Sequence, residues 1–572
     1  VQLYVNTQPK EDDLASTLVF YDRPIIVADN GTARERQLAQ FDDFRNLFPL
    51  ALCYPKIVPA DEVITLMLYY REDDALQRLM LTDSEIDTLN RLWDELHFVS
   101  RDAVAIVDAF EQLLQYATQD GQPSEFDPLR KPIMDRAAAY KQQLIDTEEP
   151  QLAATIEVAA DAFRRPLSDR EVAEYRRLYD TLRKMEVGHE QALQFLIAKT
   201  FASPAFLYRM EEGAGPITSL ADGEVHIRRL SNFELASRLS YFLTSSPPDQ
   251  ELRELAAQGA LTTKPEVLEH QARRLLSGPQ ARNLATEFGC QWLQVYDFAA
   301  HDEKSESVFP TFAALKDDFY EESILFWIDI FQNDLSITEL LDSDHSFVNQ
   351  ELADHYGIPY NNDTSQPQWR RVDNIRQYGR GGVLAMASIL SKQSGASRTS
   401  PILRGNWISE VLLGDKLPSP PLNVPVLPET PPEGLTEREL IEQHSSNAAC
   451  AKCHEKIDPY GFALEGYDAI GRLRNAANQN TEAVLYDGTN VKGFKDLQTY
   501  LSIQRRESFL DQFCRKILGY SLGRAVQLSD AQLLTEMREL LVKNDNKVSS
   551  AILPIVRSKQ FQYVRVDSGS NK

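Results

Sequence analysis

Cysteine is scarce in this sequence, with five residues among 572. So low a count excludes a disulfide framework, which small secreted scaffolds assemble from many closely spaced cysteines. Long apolar runs are missing as well. No stretch approaches the roughly 18 residues that cross a bilayer, and no basic-then-apolar leader opens the chain. A chain that starts at Val1 instead of Met fits a mature product after leader cleavage, and fits an excised piece equally. Positive charge is in the minority: 60 Lys and Arg face 85 Asp and Glu, for a formal net charge of -25. Nucleic acids and anionic membranes present negative surfaces, so they are poor partners for such a chain. Also absent are a second CxxC, any HxxxH pair, a phosphate-binding loop and a metalloprotease motif.

What is present begins with size. At 43% hydrophobic residues, a chain of this length buries several cores, and length alone predicts roughly three or four domains. Three cysteines, Cys53, Cys290 and Cys514, are scattered and read as buried inert thiols. The other two stand in the run Ala449-Cys450-Ala451-Lys452-Cys453-His454. CxxCH is the spacing of c-type haem attachment. Two thiols one helical turn apart each add to a vinyl group of the same haem, and the adjacent imidazole is held beneath the iron. A zinc site needs two further ligands at similar spacing. A thioredoxin-like pair needs a strand before the helix that carries it; here Thr436 to His444 reads as a helix opened by the capping box Thr436/Glu439. The sequence therefore predicts one covalent haem c on Cys450 and Cys453, with His454 as first axial ligand. Such attachment takes place outside the cytoplasm, so a periplasmic or secreted bacterial protein is expected.

Along the chain the fold class reads as mainly α: a multi-module helical protein with a cytochrome-c-like haem domain and a small mixed N-terminal region. The expected divisions are 1–150 (mixed and helical), 151–225 and 226–360 (helical), 361–500 (the haem domain with its proline strap) and 501–572 (helical). β-like runs occupy Thr17 to Val27 and Val63 to Tyr70, and from Ser84 the helical period takes over. Capping boxes at Ser168/Glu171 and Ser231/Glu234 open further helices, the second with the stripe Leu235, Leu239 and Phe242. A helical pattern through Phe319, Ile324, Phe326 and Leu340 ends at Gly357-Ile358-Pro359. Seven prolines between Leu417 and Pro432 predict an extended strap. Tyr486 to Thr489 reads as a tight turn between two short strands. Gly519-Tyr520-Ser521-Leu522-Gly523 matches GxSxG, but it ends a helical run instead of following a strand, which excludes a hydrolase elbow.

Several of these segments resemble one family. Arg398-Thr399-Ser400-Pro401-Ile402-Leu403-Arg404-Gly405-Asn406-Trp407, the proline strap, Cys450 to His454, and Ile457 to Asp468 are together similar to the planctomycete-type cytochrome c proteins, which are large secreted bacterial proteins. Phe163 to Glu171, Leu235 to Phe242, Phe347 to Gly357 and Phe513 to Gly523 resemble the helical modules of the same family, in the same order. Many relatives carry a further haem module near the N-terminus, whereas this sequence has a single CxxCH. The resemblance implies a redox protein and supplies no substrate.

Function turns on what faces the iron opposite His454. A Met or His there gives a saturated electron-transfer haem, and an open position admits peroxide or dioxygen. Met386, in an apolar segment after Gly381-Gly382, is the first candidate ligand, and His444 the second. Haem propionates call for cationic donors, for which Arg398 and Arg404 are the candidates. Trp407 and Tyr460 are candidates to pack on the macrocycle. A main-chain carbonyl at Asp458-Pro459 is placed to accept the other N–H of His454. The leading expectation is an extracytoplasmic mono-haem cytochrome that transfers electrons with a redox protein partner. The alternative is a haem oxidase or peroxidase acting on a substrate held between helical modules; a third is a subunit of a larger redox complex.

Overall fold

The computed structural model describes residues 73–120, 123–220, 225–300, 304–360, 368–418, 436–446, 448–475 and 480–566. The β-like runs expected before residue 72 and most of the proline strap lie outside the described residues. The chain divides into two units: Val1–Thr155 with Val187–Leu193, and Ile156–Glu186 with Gln194–Lys572. Both are mostly helical, as the 3.6-residue apolar periods require.

In the first unit, α1 (Asp83–Ser100) opens with a capping box in which Thr82 and Glu85 satisfy each other's free main-chain donors. Arg101, in the left-handed region at φ 57°, ends it and turns the chain into α2 (Asp102–Asp120). A third helix, α3 (Asp127–Asp146), docks by Tyr140, whose hydroxyl donates to the Phe98 carbonyl at 2.7 Å.

The second unit holds one continuous apolar core. Ahead of that core in sequence stands α4 (Asp169–Lys184), capped by the expected Ser168/Glu171 box. Arg165 also clamps Glu171 from two sides, and mainly through that contact its carboxyl drops to about 2. After β1 (Ala214–Leu220) and β2 (Val225–Arg229), the Ser231/Glu234 box opens α5 (Asn232–Thr244), which buries Leu235, Leu239 and Phe242. The longest core helix is α6 (Phe312–Gln332), followed by β3 (His345–Val348), α7 (Gln350–Tyr356) and β4 (Arg370–Asp373). Gly357 at φ 70° ends α7 where the sequence predicts the stop. Next come α8 (Ala387–Lys392), α9 (Pro401–Asn406), α10 (Glu437–Ser445) and α11 (Ala448–Ala463). The chain closes with β5 (Glu482–Val484), β6 (Asn490–Lys492), α12 (Gly493–Ile503), α13 (Arg506–Leu522), three shorter α-helices and β7 (Tyr563–Arg565).

Strand pairing is antiparallel throughout. β2 lies between β1 and β7 with Ile227 opposite Arg565, so the last strand returns to the start of the unit. β3 pairs with β4, His345 opposite Asp373. β5 and β6 form the expected hairpin, its turn held by Gly488 N–H donating to Leu485 and by the Asp487 carboxylate accepting from Thr489. Two π-helical turns, Ala285–Cys290 and Trp407–Leu412, are locked together by a reciprocal indole exchange. Trp292 Nε1 donates to the Val411 carbonyl and Trp407 Nε1 donates to the Leu293 carbonyl, each at 3.0 Å. The π turn shifts the Val411 carbonyl away from its helical partner, and Leu293 ends the segment that follows the other turn; the buried indoles satisfy both carbonyls. No helix among the described residues is long and apolar enough to cross a membrane.

Candidate haem site

The helix that carries CxxCH is anchored at one end and open at the other. At the anchored end α11 crosses α9 backbone to backbone. A Cβ on Gly405 would fall on the Ile457 carbonyl oxygen, and one on Gly461 on that of Pro401, so only glycine permits this approach. Pro459 inside α11 has no N–H to return to the Glu455 carbonyl, which loosens the ladder where the helices meet.

Arg404 completes the anchor. It is 1% exposed, and its guanidinium donates to the carbonyls of Leu464 (2.9 Å), Tyr467 (3.2 Å) and Asp468 (2.7 Å) and to Ser394 Oγ (3.0 Å). Glu465 lies 3.5 Å away and accepts from Thr399 Oγ1 at 2.7 Å. Burial above all lowers this guanidinium to about 10. The expectation that Arg404 meets a propionate is therefore corrected: its donors serve the chain just past α11. Trp407 is corrected likewise. At 2% exposure, with its indole N–H on Leu293, it is a core residue and not a wall for a macrocycle.

At the open end, Cys450, Cys453 and His454 stand in the first two turns of α11, each partly exposed. Both cysteines are free thiols, and Cys453 Sγ donates weakly to the Pro418 carbonyl at 3.7 Å, where the strap begins. His454 Nδ1 lies 2.9 Å from each carboxylate oxygen of Asp458. Spacing of i,i+4 puts the two side chains on one helix face. Asp458 is 5% exposed, and burial raises its carboxyl while the His454 hydrogen bond opposes that shift. The acceptor of the Nδ1 proton is thus the Asp458 carboxylate and not a main-chain carbonyl, a role legible only as the His454/Asp458 spacing. With Nδ1 engaged, Nε2 is the nitrogen left for a metal, and it has no partner among the described residues.

The ring beside His454 is that of His444, in the last turn of α10, with centroids 5.3 Å apart and planes at 74°. Met386 is elsewhere in the fold. It is 3% exposed, and its sulfur accepts from Ser323 Oγ of α6 at 3.8 Å, so the expected Met386 ligand is corrected to a core methionine. Tyr460 is 4% exposed and accepts from Arg505 Nη1 at 3.0 Å; Arg505 also pairs with Asp415 at 2.8 Å, just before the strap. Arg398 remains partly exposed beside the Ser394–Thr399 bridge. The donor set fits a c-type haem: two reduced thiols one turn apart and an imidazole oriented through its other nitrogen. Among the described residues no group of three or more His, Cys, Asp and Glu is arranged for a metal ion.

Four family models match successive stretches of the chain, and all are described as proteins of unknown function: DUF1595 over residues 156–211, DUF1592 over 230–358, DUF1588 over 380–477 and DUF1585 over 487–561. The CxxCH turn falls inside the third. No curated protein and no solved structure matches. The four are planctomycete cytochrome c-type domains, which imply covalently bound haem c. With these domains in this order, and with free thiols and an oriented imidazole on one turn of α11, the chain belongs to the planctomycete-type cytochrome c family.

Proposed function

We propose that this protein is an extracytoplasmic electron-transfer cytochrome with one haem, bound through thioethers at Cys450 and Cys453 and ligated by His454. The observation that carries the proposal is the His454–Asp458 contact. A carboxylate on Nδ1 fixes the tautomer and turns Nε2 outward, as in many histidine metal sites. Haem bound there supplies a one-electron couple. The chain's own residues hold the imidazole and anchor the helix that carries it. Of the candidate sixth ligands, His444 is the one whose ring stands beside His454, and two imidazoles would saturate the iron for electron transfer. Arg398 is the remaining candidate donor to a propionate. The acidic surface suits a cationic or neutral redox partner.

A second reading, an oxidase or peroxidase, is favoured by the same carboxylate, because a more basic axial ligand pushes electron density onto the iron. Ferric spectra separate the two. Electron transfer through a bis-imidazole haem predicts a low-spin wild type that becomes high-spin and binds cyanide rapidly in His444→Ala. A wild type already high-spin, and unaltered by His444→Ala, would support the second reading.

A further inference from the structure

Asp458 has no evident need to be where it is. A carboxylate this deeply buried is costly unless charge-assisted hydrogen bonds compensate it, and the partner it has is the imidazole of His454, 2.9 Å from both oxygens. The geometry around it is rigid. Gly405 and Gly461 bring α9 into backbone contact with α11 at Ile457 and Gly461, on either side of Asp458. Tyr460, two residues on, is held by Arg505. The carboxylate is thus fixed by the anchored half of the helix and applied to the open half.

We infer that Asp458 is a positioning residue that makes His454 a stronger electron donor and so lowers the reduction potential of the haem that His454 binds. An N–H hydrogen-bonded to a carboxylate gives its ring anionic character, which a neutral amide or carbonyl acceptor confers far less. Greater donation through Nε2 stabilises the ferric over the ferrous iron. The inference rests on the proposal that His454 is an axial ligand.

The test uses the full chain purified with its haem, as wild type, Asp458→Asn and Asp458→Glu. Covalent haem is quantified after denaturation, and midpoint potentials come from equilibrium redox titration. The expected result is equal haem retention, with the ferrous-to-ferric ratio at a fixed potential raised about tenfold in Asp458→Asn, about 59 mV for a one-electron couple. Asp458→Glu, which keeps the carboxylate, returns most of the shift. Equal haem content with less than a twofold change in that ratio overturns the role of Asp458 and leaves the cytochrome proposal standing. Wild-type protein without covalent haem overturns the proposal itself. If the variants lose haem, the wild type decides: nitrogen-edited NMR of the ferrous protein shows a slowly exchanging His454 Nδ1 proton, and exchange at the rate of an exposed imidazole contradicts the inference.

Discussion

The two ends of α11 differ sharply in how they are held. Its C-terminal half is glycine-close to α9, clamped by a guanidinium 1% exposed and sealed by Tyr460 and Phe462. Its N-terminal half presents two thiols and an imidazole at partial exposure. Of the residues that carry the resemblance, Gly461 lies in the anchored half itself, while Arg404 and Gly405 of α9, with Thr399 and Glu465, pack around it. The chemistry is confined to one turn, and α9 with the C-terminal half of α11 holds that turn in place.

The comparison breaks most completely in Cys450→Ala/Cys453→Ala. This double variant is expected to fold, since neither thiol is in the core, and to lose all covalent haem; pigment that stays with the denatured chain would contradict the assignment. Arg404→Ala attacks the other end. It leaves three buried carbonyls and Glu465 without their cation, with an expected loss on the order of 3–5 kcal/mol in urea unfolding and little change in the haem spectrum of the folded fraction.

How much of this was legible follows from the range of each interaction. The capping boxes at Ser168, Ser231 and Thr436, the glycine stop at Gly357 and the Tyr486–Thr489 turn are local, and the sequence displays them directly. The haem turn is equally local. The acceptors that make Arg404 a clamp on the chain past α11 lie 60 to 64 residues away, and nothing in an Arg near a Thr-Ser-Pro turn separates a buried clamp from a propionate donor. The apolar setting of Met386 is legible, but periodicity does not say which neighbour a core side chain meets. The β3–β4 pairing joins short, unpatterned strands across α7, which no local pattern reveals. The Asp458 contact is legible in part, since the i,i+4 spacing from His454 puts both side chains on one helix face, but spacing alone does not separate its carboxylate from a carbonyl beside Pro459.

A region outside both ends sharpens the contrast. Glu322 of α6 is 2% exposed and accepts from Ser346 and Tyr356. Burial above all raises its carboxyl to about 7. Its folded-state value lies above the unfolded one, so the folded protein holds the extra proton between them. This contribution is fully present below the unfolded value and is lost as pH rises towards about 7. Relative to Glu322→Gln, the wild type is expected to lose on the order of 3 kcal/mol between about pH 4.5 and 7. Parallel pH profiles of the two urea midpoints would contradict this, and haem content should not differ. The smallest effect is expected from Gly461→Ala. Its methyl group meets the Pro401 carbonyl, forces α9 and α11 apart and costs about 1–3 kcal/mol, with haem still attached; an unchanged midpoint would show that the close approach does not hold the helix.

The central claim is that the turn from Cys450 to His454 carries a covalent haem, and mass spectrometry of the protease-digested native protein tests it most directly. The account predicts one peptide containing both Cys450 and Cys453 that is heavier by the mass of a single haem. Recovery of that peptide unmodified, with two alkylatable thiols, would contradict it.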